Sequence, residues 1–208
     1  TEAMPTWSPN GESIAFVTWN DKEGGHIYKV NTKGKAKPVR LTNESAVYTD
    51  PAWSFTDNKI VFSKGNAQNY KNGTGPFSFG ASADISWISG NGGEVNFIAK
   101  SKGRGYAHFT KKNNRIYLYS ATKGLVSIRW DGTDEKEHLK VTGITTYGSI
   151  RDIIDHHALH EEISEPAKKP SNASRIIMAP EGDQAIAMIN NEIYTVTVPM
   201  VSNKAVNI

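Results

Sequence analysis

One segment of the sequence carries the side-chain types that bind metal ions, Asp155-His156-His157-Ala158-Leu159-His160-Glu161-Glu162. On a helix, His156 and His160 lie four residues apart on one face, a spacing that zinc or nickel can use. Asp155, His156 and His160 are therefore the candidate metal ligands. The zinc-protease pattern His-Glu-x-x-His is absent, because Glu162-Ile163-Ser164 follows His160-Glu161. A solvated, charged helix explains the same residues, and we favour that interpretation over a metal site.

Other patterns that carry chemistry are missing from the sequence. There is no Gly-x-Ser-x-Gly elbow for a nucleophilic serine. The glycine pairs Gly24-Gly25 and Gly92-Gly93 lack the following Lys-Ser/Thr of a phosphate loop. The chain has no cysteine, so disulfides and thiolate zinc sites are excluded. We therefore predict no catalytic residue, no cofactor-binding residue and no cofactor in this chain.

The chain repeats one pattern four times: a large apolar residue, a polar turn and a β-rich apolar run. The copies begin at Trp7, Trp53, Phe109 and Met178. In the first copy, Pro9-Asn10-Gly11 supplies the residues that tight turns prefer, so we interpret Ser8 as a turn residue and not as a nucleophile. Repeats of this length indicate a modular array.

These repeats predict an all-β fold, a β-propeller of about four four-stranded blades. Within a single domain, 1–208, we place the blades at 1–43, 48–100, 104–143 and 174–208. Insertions at 65–83 and 145–172 interrupt the pattern, and the second holds the one segment with a helical stripe, 151–162. The last strand of the fourth blade is predicted at 204–208.

We expect these blades to form an arc of a larger propeller. All four copies are in phase, and no cysteine is available to clasp a small ring closed. An open arc would expose apolar faces at both ends, so missing blades or self-association are the expected partners.

The aromatic residues fall into two groups. Trp7, Trp53 and Phe109 recur once per blade, which is typical of packing between blades and not of a ligand-stacking ring. The aromatics outside the pattern are better candidates for a binding surface: Trp19, Tyr70, Phe77 and Phe79. We expect those of the first insertion to pack over a blade edge.

Composition limits the classes of partner. The net charge of the 208 residues is +3, with both signs interspersed, which is too weak to indicate nucleic acid. No apolar run is long enough for a membrane helix. The sequence begins at Thr1 and not at Met, so we expect a processed chain or a piece of a longer one.

The pattern WSPNG…IAFV…HIYKV…LT resembles the TolB-type propeller repeat, in which Trp-Ser-Pro-Asp-Gly precedes two strands. The resemblance covers nearly the whole chain outside the insertions. The second copy departs from it with Phe55-Thr56-Asp57 and the third with Lys111-Lys112-Asn113, whereas the fourth keeps Pro180-Glu181-Gly182.

A narrower resemblance covers His108 to Gly143 and MAPEGDQAIAMINNEIYTVTVP. These runs look like the N-terminal propeller region of large exported bacterial predicted amidohydrolases. The resemblance implies a periplasmic or extracellular protein, and a parent hydrolase that uses zinc or another divalent metal in a barrel outside this chain. The His-x-His motif of such a barrel is absent here.

Three functional hypotheses follow. The first is a non-catalytic propeller module that binds a protein or a small molecule, accompanying a hydrolase. The second is the propeller part of a metal-dependent amidohydrolase, inactive without its barrel. The third is a metal-binding or sensing protein that uses residues 155–162.

Overall fold

The computed structural model of the protein describes residues 1–72, 83–144, 170–198 and 204–207. Nearly all of the regular structure in these residues is β-strand. Four antiparallel sheets follow one another along the chain as the blades of a β-propeller, as the repeats predicted.

The first two sheets have four strands each, hydrogen-bonded in chain order. The strands of the first sheet are Glu2–Trp7 (β1), Ser13–Asn20 (β2), Gly24–Asn31 (β3) and Val39–Arg40 (β4). The strands of the second sheet are Val47–Trp53 (β5), Lys59–Gly65 (β6), Asp84–Ser89 (β7) and Asn96–Lys100 (β8).

The third and fourth sheets follow the same plan with changes at their outer edges. The third sheet contains Arg104–His108 (β9), Ile116–Ser120 (β10), Gly124–Ile128 (β11), Lys136–Ile144 (β12) and Pro170–Asn172 (β13). The fourth contains Arg175–Met178 (β14), Gln184–Ile189 (β15) and Glu192–Thr197 (β16). The first strand of each sheet contacts the first strand of the next, so β1, β5, β9 and β14 form the inner edge of the propeller.

The last strand differs from its predicted place. We expected residues 204–208 to close the fourth blade, but Lys204–Asn207 (β17) pairs in parallel with β12 of the third blade. The reason is the length of β12, which runs nine residues and pairs with β11 only as far as Leu139. Its free edge offers unpaired backbone groups, which β13 and β17 satisfy.

The helix found in the structure lies in the first insertion and was missed from the sequence. Ala67–Lys71 (α1) begins after Asn66, whose side chain accepts a hydrogen bond from the backbone N–H of Asn69. The helix predicted at 151–162 lies outside the described residues.

Each interior blade buries both of its faces. In β6, Ile60 and Phe62 pack against the first blade, whereas Val61 between them packs against the third. This alternation follows from the two-residue period of a strand. It explains why the second strand of each repeat is apolar throughout and not alternating.

Three core clusters result, one between each pair of consecutive blades. The cluster between the first and second blades includes Ala15, Ile27, Trp53 and Phe62. The next includes Val61, Ile85, Phe109 and Leu118, and the last includes Tyr117, Leu125, Met178 and Ala187.

The repeated turn has the role that its sequence predicted. Gly11 adopts a left-handed φ of 71°, and its N–H donates to the carbonyl of Ser8 at 2.9 Å. Gly182 in the fourth copy has the same φ and donates to the carbonyl of Ala179, also at 2.9 Å. The Ser8 hydroxyl accepts a hydrogen bond from the N–H of Ser13, which is a turn contact.

Gly124 and Gly34 have nearly equal φ angles but different surroundings, so replacing each with alanine distinguishes the cost of backbone strain from the cost of a steric clash. Gly124 (φ 79°) begins β11, and a Cβ there would lie 2.3 Å from the Leu139 carbonyl oxygen. Gly34 (φ 78°) has no atom within 4 Å of the same position. We expect Gly34→Ala to lower the free energy of unfolding by about 1–2 kcal/mol and Gly124→Ala by a further 1–3 kcal/mol, roughly the cost of overpacking.

Urea unfolding of both variants measures these losses. Equal losses in the two variants would show that the β11–β12 approach does not constrain residue 124.

Candidate functional site

The metal-ligand candidates from the sequence, Asp155, His156 and His160, lie outside the described residues, so the metal site stays a prediction. Within the described ranges, no group of three or more His, Asp and Glu side chains is placed to hold a metal ion. In the same ranges, no helix is long and apolar enough to cross a membrane.

The once-per-blade aromatics pack as predicted, with one exception. Trp53 and Phe109 are buried in the clusters between blades. Trp7 keeps 60% of its surface exposed, because no described blade covers that face of the first sheet.

The off-pattern aromatics Trp19 and Tyr70 contact each other edge to face, with ring centres 4.5 Å apart. Trp19 belongs to β2 and Tyr70 to α1, so α1 packs against the first blade. Phe77 and Phe79 lie outside the described residues.

A shared irregularity of the inner strands creates a constellation that the sequence did not reveal. In β1, β5 and β9 the strand register shifts, and the residues at the shift, Met4, Asp50 and Tyr106, have φ values of 51°, 51° and 53°. Each lies three residues before the large apolar residue of its repeat. The same position in the fourth repeat is Arg175, in a strand with regular pairing. We call Met4, Asp50, Tyr106 and Arg175 the inner-edge site.

Two contacts join these residues in pairs across the blades. The Met4 sulfur accepts a hydrogen bond from the Asp50 N–H at 3.3 Å. The guanidinium carbon of Arg175 lies 4.1 Å from the centre of the Tyr106 ring, in cation–π geometry. The Arg175 Nε is buried and has no hydrogen-bond partner among the described residues.

The electrostatics of the site centre on Tyr106. Burial raises the pKa of its hydroxyl, and the nearby Asp50 carboxylate raises the pKa further, whereas Arg175 acts in the opposite direction. The phenol therefore stays protonated at neutral pH and can donate a hydrogen bond. A carboxylate, a phenol and a guanidinium in this order can bind a polar ligand, with the guanidinium suited to a ligand carboxylate.

His108 supports the site from the same strand. Its Nδ1 lies 2.8 Å from the Tyr106 carbonyl, and its Nε2 accepts a hydrogen bond from the Met178 N–H at 2.9 Å. The ring therefore joins the third blade to the fourth, next to both Tyr106 and Arg175. Burial lowers the pKa of His108 to about 4, because a charged ring would lose solvation and its acceptor role.

Comparison with solved structures supports the architecture. A TolB from Acinetobacter baumannii matches over 93% of this chain and 40% of its own length, with 15% identity and a TM-score of 0.50. An oligogalacturonate lyase in complex with manganese matches 93% of this chain and 50% of its own, with 11% identity and a TM-score of 0.54. A gluconolactonase from Xanthomonas campestris matches 95% of this chain and 57% of its own, with 10% identity and a TM-score of 0.55.

The fold is a β-propeller. At these identities the likeness concerns the fold alone, and the propeller spans only 40–57% of the length of these three proteins. No protein-family model matches the sequence, and no curated protein matches it either.

The inner-edge site was not predicted from the sequence, because its four residues occupy the same position in each repeat but are chemically different. The usable signal was the constant offset of three residues before Trp7, Trp53, Phe109 and Met178. That offset predicts equivalent placement on the inner strands, but it predicts neither the bulge nor the contacts between blades.

The His108 environment predicts an acid-sensitive fold. The folded pKa of about 4 lies below the ordinary value of 6.5, so the unfolded chain takes up a proton first as the pH falls. Stability is therefore full above about pH 6.5 and is lost towards pH 4, with a loss of about 2.5 kcal/mol by pH 4.5.

Urea unfolding across this range, for the protein and for His108→Gln, measures the effect. Gln keeps an acceptor and a donor but has no charge to gain, so the slope with pH should shrink to the part contributed by other groups. These include His26 and His138, whose pKa values burial also lowers, and Asp131 and Asp134, whose pKa values are lowered by hydrogen bonds from Thr133 and Arg115. An unchanged slope in His108→Gln would contradict the assignment.

Proposed function

We propose that this chain is a non-catalytic binding module whose inner-edge site takes a ligand that carries a carboxylate group. One observation carries the proposal. The inner strands bring Met4, Asp50, Tyr106 and Arg175 to the same level of consecutive blades, and Arg175 holds a buried Nε with no partner in the described part of the chain.

The arrangement favours recognition over chemistry. Arg175 lies against the Tyr106 ring, and this cation–π contact orients the guanidinium. Asp50 and the protonated Tyr106 supply an acceptor and a donor for hydroxyl or amide groups of the same ligand. His108, which burial keeps neutral, joins the third blade to the fourth through its contacts with Tyr106 and Met178 and so has a structural role.

A role beside a hydrolase is the second candidate. The run from His108 to Gly143, together with the fourth repeat, supports it through the resemblance to exported predicted amidohydrolases. In that role the metal-dependent chemistry, with zinc or another divalent ion, belongs to a barrel outside this chain, and the location is periplasmic or extracellular. The coding sequence beyond Ile208 tests it, because a barrel would bring a His-x-His strand and further metal ligands.

Metal binding at residues 155–162 is the third candidate, and it rests on the spacing of His156 and His160. Calorimetric titration with zinc tests it directly. Binding that disappears in His156→Ala/His160→Ala would support a metal site, and absence of binding in the unaltered chain would reject it.

The carboxylate ligand is tested with a probe and a matched control. Oligogalacturonate carries a carboxylate on each sugar, and its methyl ester is the same oligomer without the charge. We expect calorimetry to show binding of the acid and not of the ester. Arg175→Ala should weaken binding about 10- to 100-fold, since hydrogen bonds to charged groups contribute roughly 1.5–3 kcal/mol.

Arg40→Ala is the control variant, because Arg40 is exposed on the outer strand β4, away from the inner edge. Equal binding of acid and ester, or equal loss in Arg40→Ala and Arg175→Ala, would reject the inner-edge site. Turnover of the oligomer by the chain itself would reject a non-catalytic role.

A further inference from the structure

The repeat positions that are buried between blades become exposed at the two ends of the array. Trp53, Phe109 and Met178 occupy one repeat position and are at most 7% exposed. Trp7 occupies the same position in the first blade and is 60% exposed. Ile14 and Phe16 are also only partly buried, although their equivalents in the next blade, Ile60 and Phe62, are fully buried. Val30, which pairs with Ile14 across the sheet, is partly buried as well. We call Trp7, Ile14, Phe16 and Val30 the first-blade face.

The opposite end shows the complementary change. Ile186 pairs with Thr195 and Ile193 pairs with Met188 in the fourth sheet, and the two isoleucines are 49% and 68% exposed. Their equivalents in the other blades are buried in the core clusters: Ala15, Val61 and Tyr117 for Ile186, and Ile27, Ile85 and Leu125 for Ile193. We call Ile186 and Ile193 the fourth-blade face.

These two faces are the two halves of one interface that the molecule already forms three times. Between the first and second blades, Ala15 and Ile27 meet Trp53, Ile60 and Phe62 in one cluster. Ile186 and Ile193 correspond to the first half of that set, and Trp7, Ile14 and Phe16 correspond to the second half. A fourth-blade face is therefore complementary to a first-blade face.

We propose that two copies of this chain associate head to tail, with the fourth-blade face of each copy on the first-blade face of the other. Each copy carries both faces. The contact between copies would therefore use the same repeat positions as the three contacts between blades within one chain. Two copies supply eight blades, which is within the 4–8 blades of closed propellers. Closure about a two-fold axis buries all four terminal faces and leaves none to extend a filament.

The association also completes the inner edge. Each copy provides Met4, Asp50, Tyr106 and Arg175 on its own inner strands, and a closed ring surrounds one channel with both sets. The proposal does not depend on the carboxylate ligand, because a solution mass and a binding isotherm are measured separately.

Light scattering after size exclusion, over a dilution series of the unaltered chain, is the first test. We expect a species of twice the 22.8 kDa chain mass that dissociates on dilution. Ile193→Glu places a charge in both interfaces of the dimer and should weaken association about 100-fold or more, taking at least a tenfold loss per interface.

Phe97→Glu is the matched control. Phe97 is 60% exposed, as Trp7 is, but it lies on the outer strand of the second blade and outside both faces. Association should be unchanged in Phe97→Glu. Circular dichroism and urea unfolding establish that both variants fold, which we expect because both altered side chains are exposed.

The absence of cysteine makes the direction of association testable by cross-linking. A Trp7→Cys chain mixed with an Ile186→Cys chain should form a disulfide between the two, because Ala15 and Trp53 at the equivalent positions share one cluster. Neither chain alone should cross-link to itself. A monomer at every concentration, cross-linking of Trp7→Cys to itself, or an open ladder of masses would each overturn the proposal.

Discussion

The burial of apolar blade faces against each other is the constraint on which the rest of this structure depends. A single twisted sheet with apolar residues on both faces cannot be stable in water, so every blade needs a neighbour on each side. The alternation seen in β6, with Ile60 and Phe62 on one side and Val61 on the other, supplies those two faces from one short strand. Polar contacts then tie the turns across the same interfaces, as in Lys29 to the Gly90 carbonyl at 2.5 Å and Lys111 to Glu181 at 2.8 Å.

This packing also positions the inner-edge site. Because consecutive blades stack in a fixed register, equivalent residues of β1, β5, β9 and β14 come to the same level without being near in sequence. At the bulge, Met4, Asp50 and Tyr106 all adopt the same left-handed backbone conformation. This conformation is strained, and the strand pairing on either side stabilises it. His108 fastens the third and fourth blades directly beneath this level, since its ring bonds both Tyr106 and Met178. Tyr106 of the proposed binding site and the His108 link between blades therefore lie on one strand, β9.

The third blade shows how edge pairing adapts to a long strand. β12 extends past its partner β11. Its remaining backbone groups pair with β13, which precedes the fourth blade in the chain, and with β17, which follows it. The fourth blade has three strands in the described residues, so its outer strand β16 lacks a partner on one edge there. Edges can be satisfied by any strand with free hydrogen-bonding groups, whereas the faces require matched apolar shapes.

The sequence by itself determined the repeat, the turn chemistry and the propeller fold, because a continuous apolar run of Ile, Val and Phe after a polar turn is a local property of the chain. It also determined that Trp53 and Phe109 belong to the core. Only the tertiary structure decided that Trp7 is exposed, that β17 joins the third blade, and that Arg175 contacts the Tyr106 ring. These outcomes depend on which surfaces lie opposite each other across blades more than forty residues apart in sequence, and no local pattern encodes that choice.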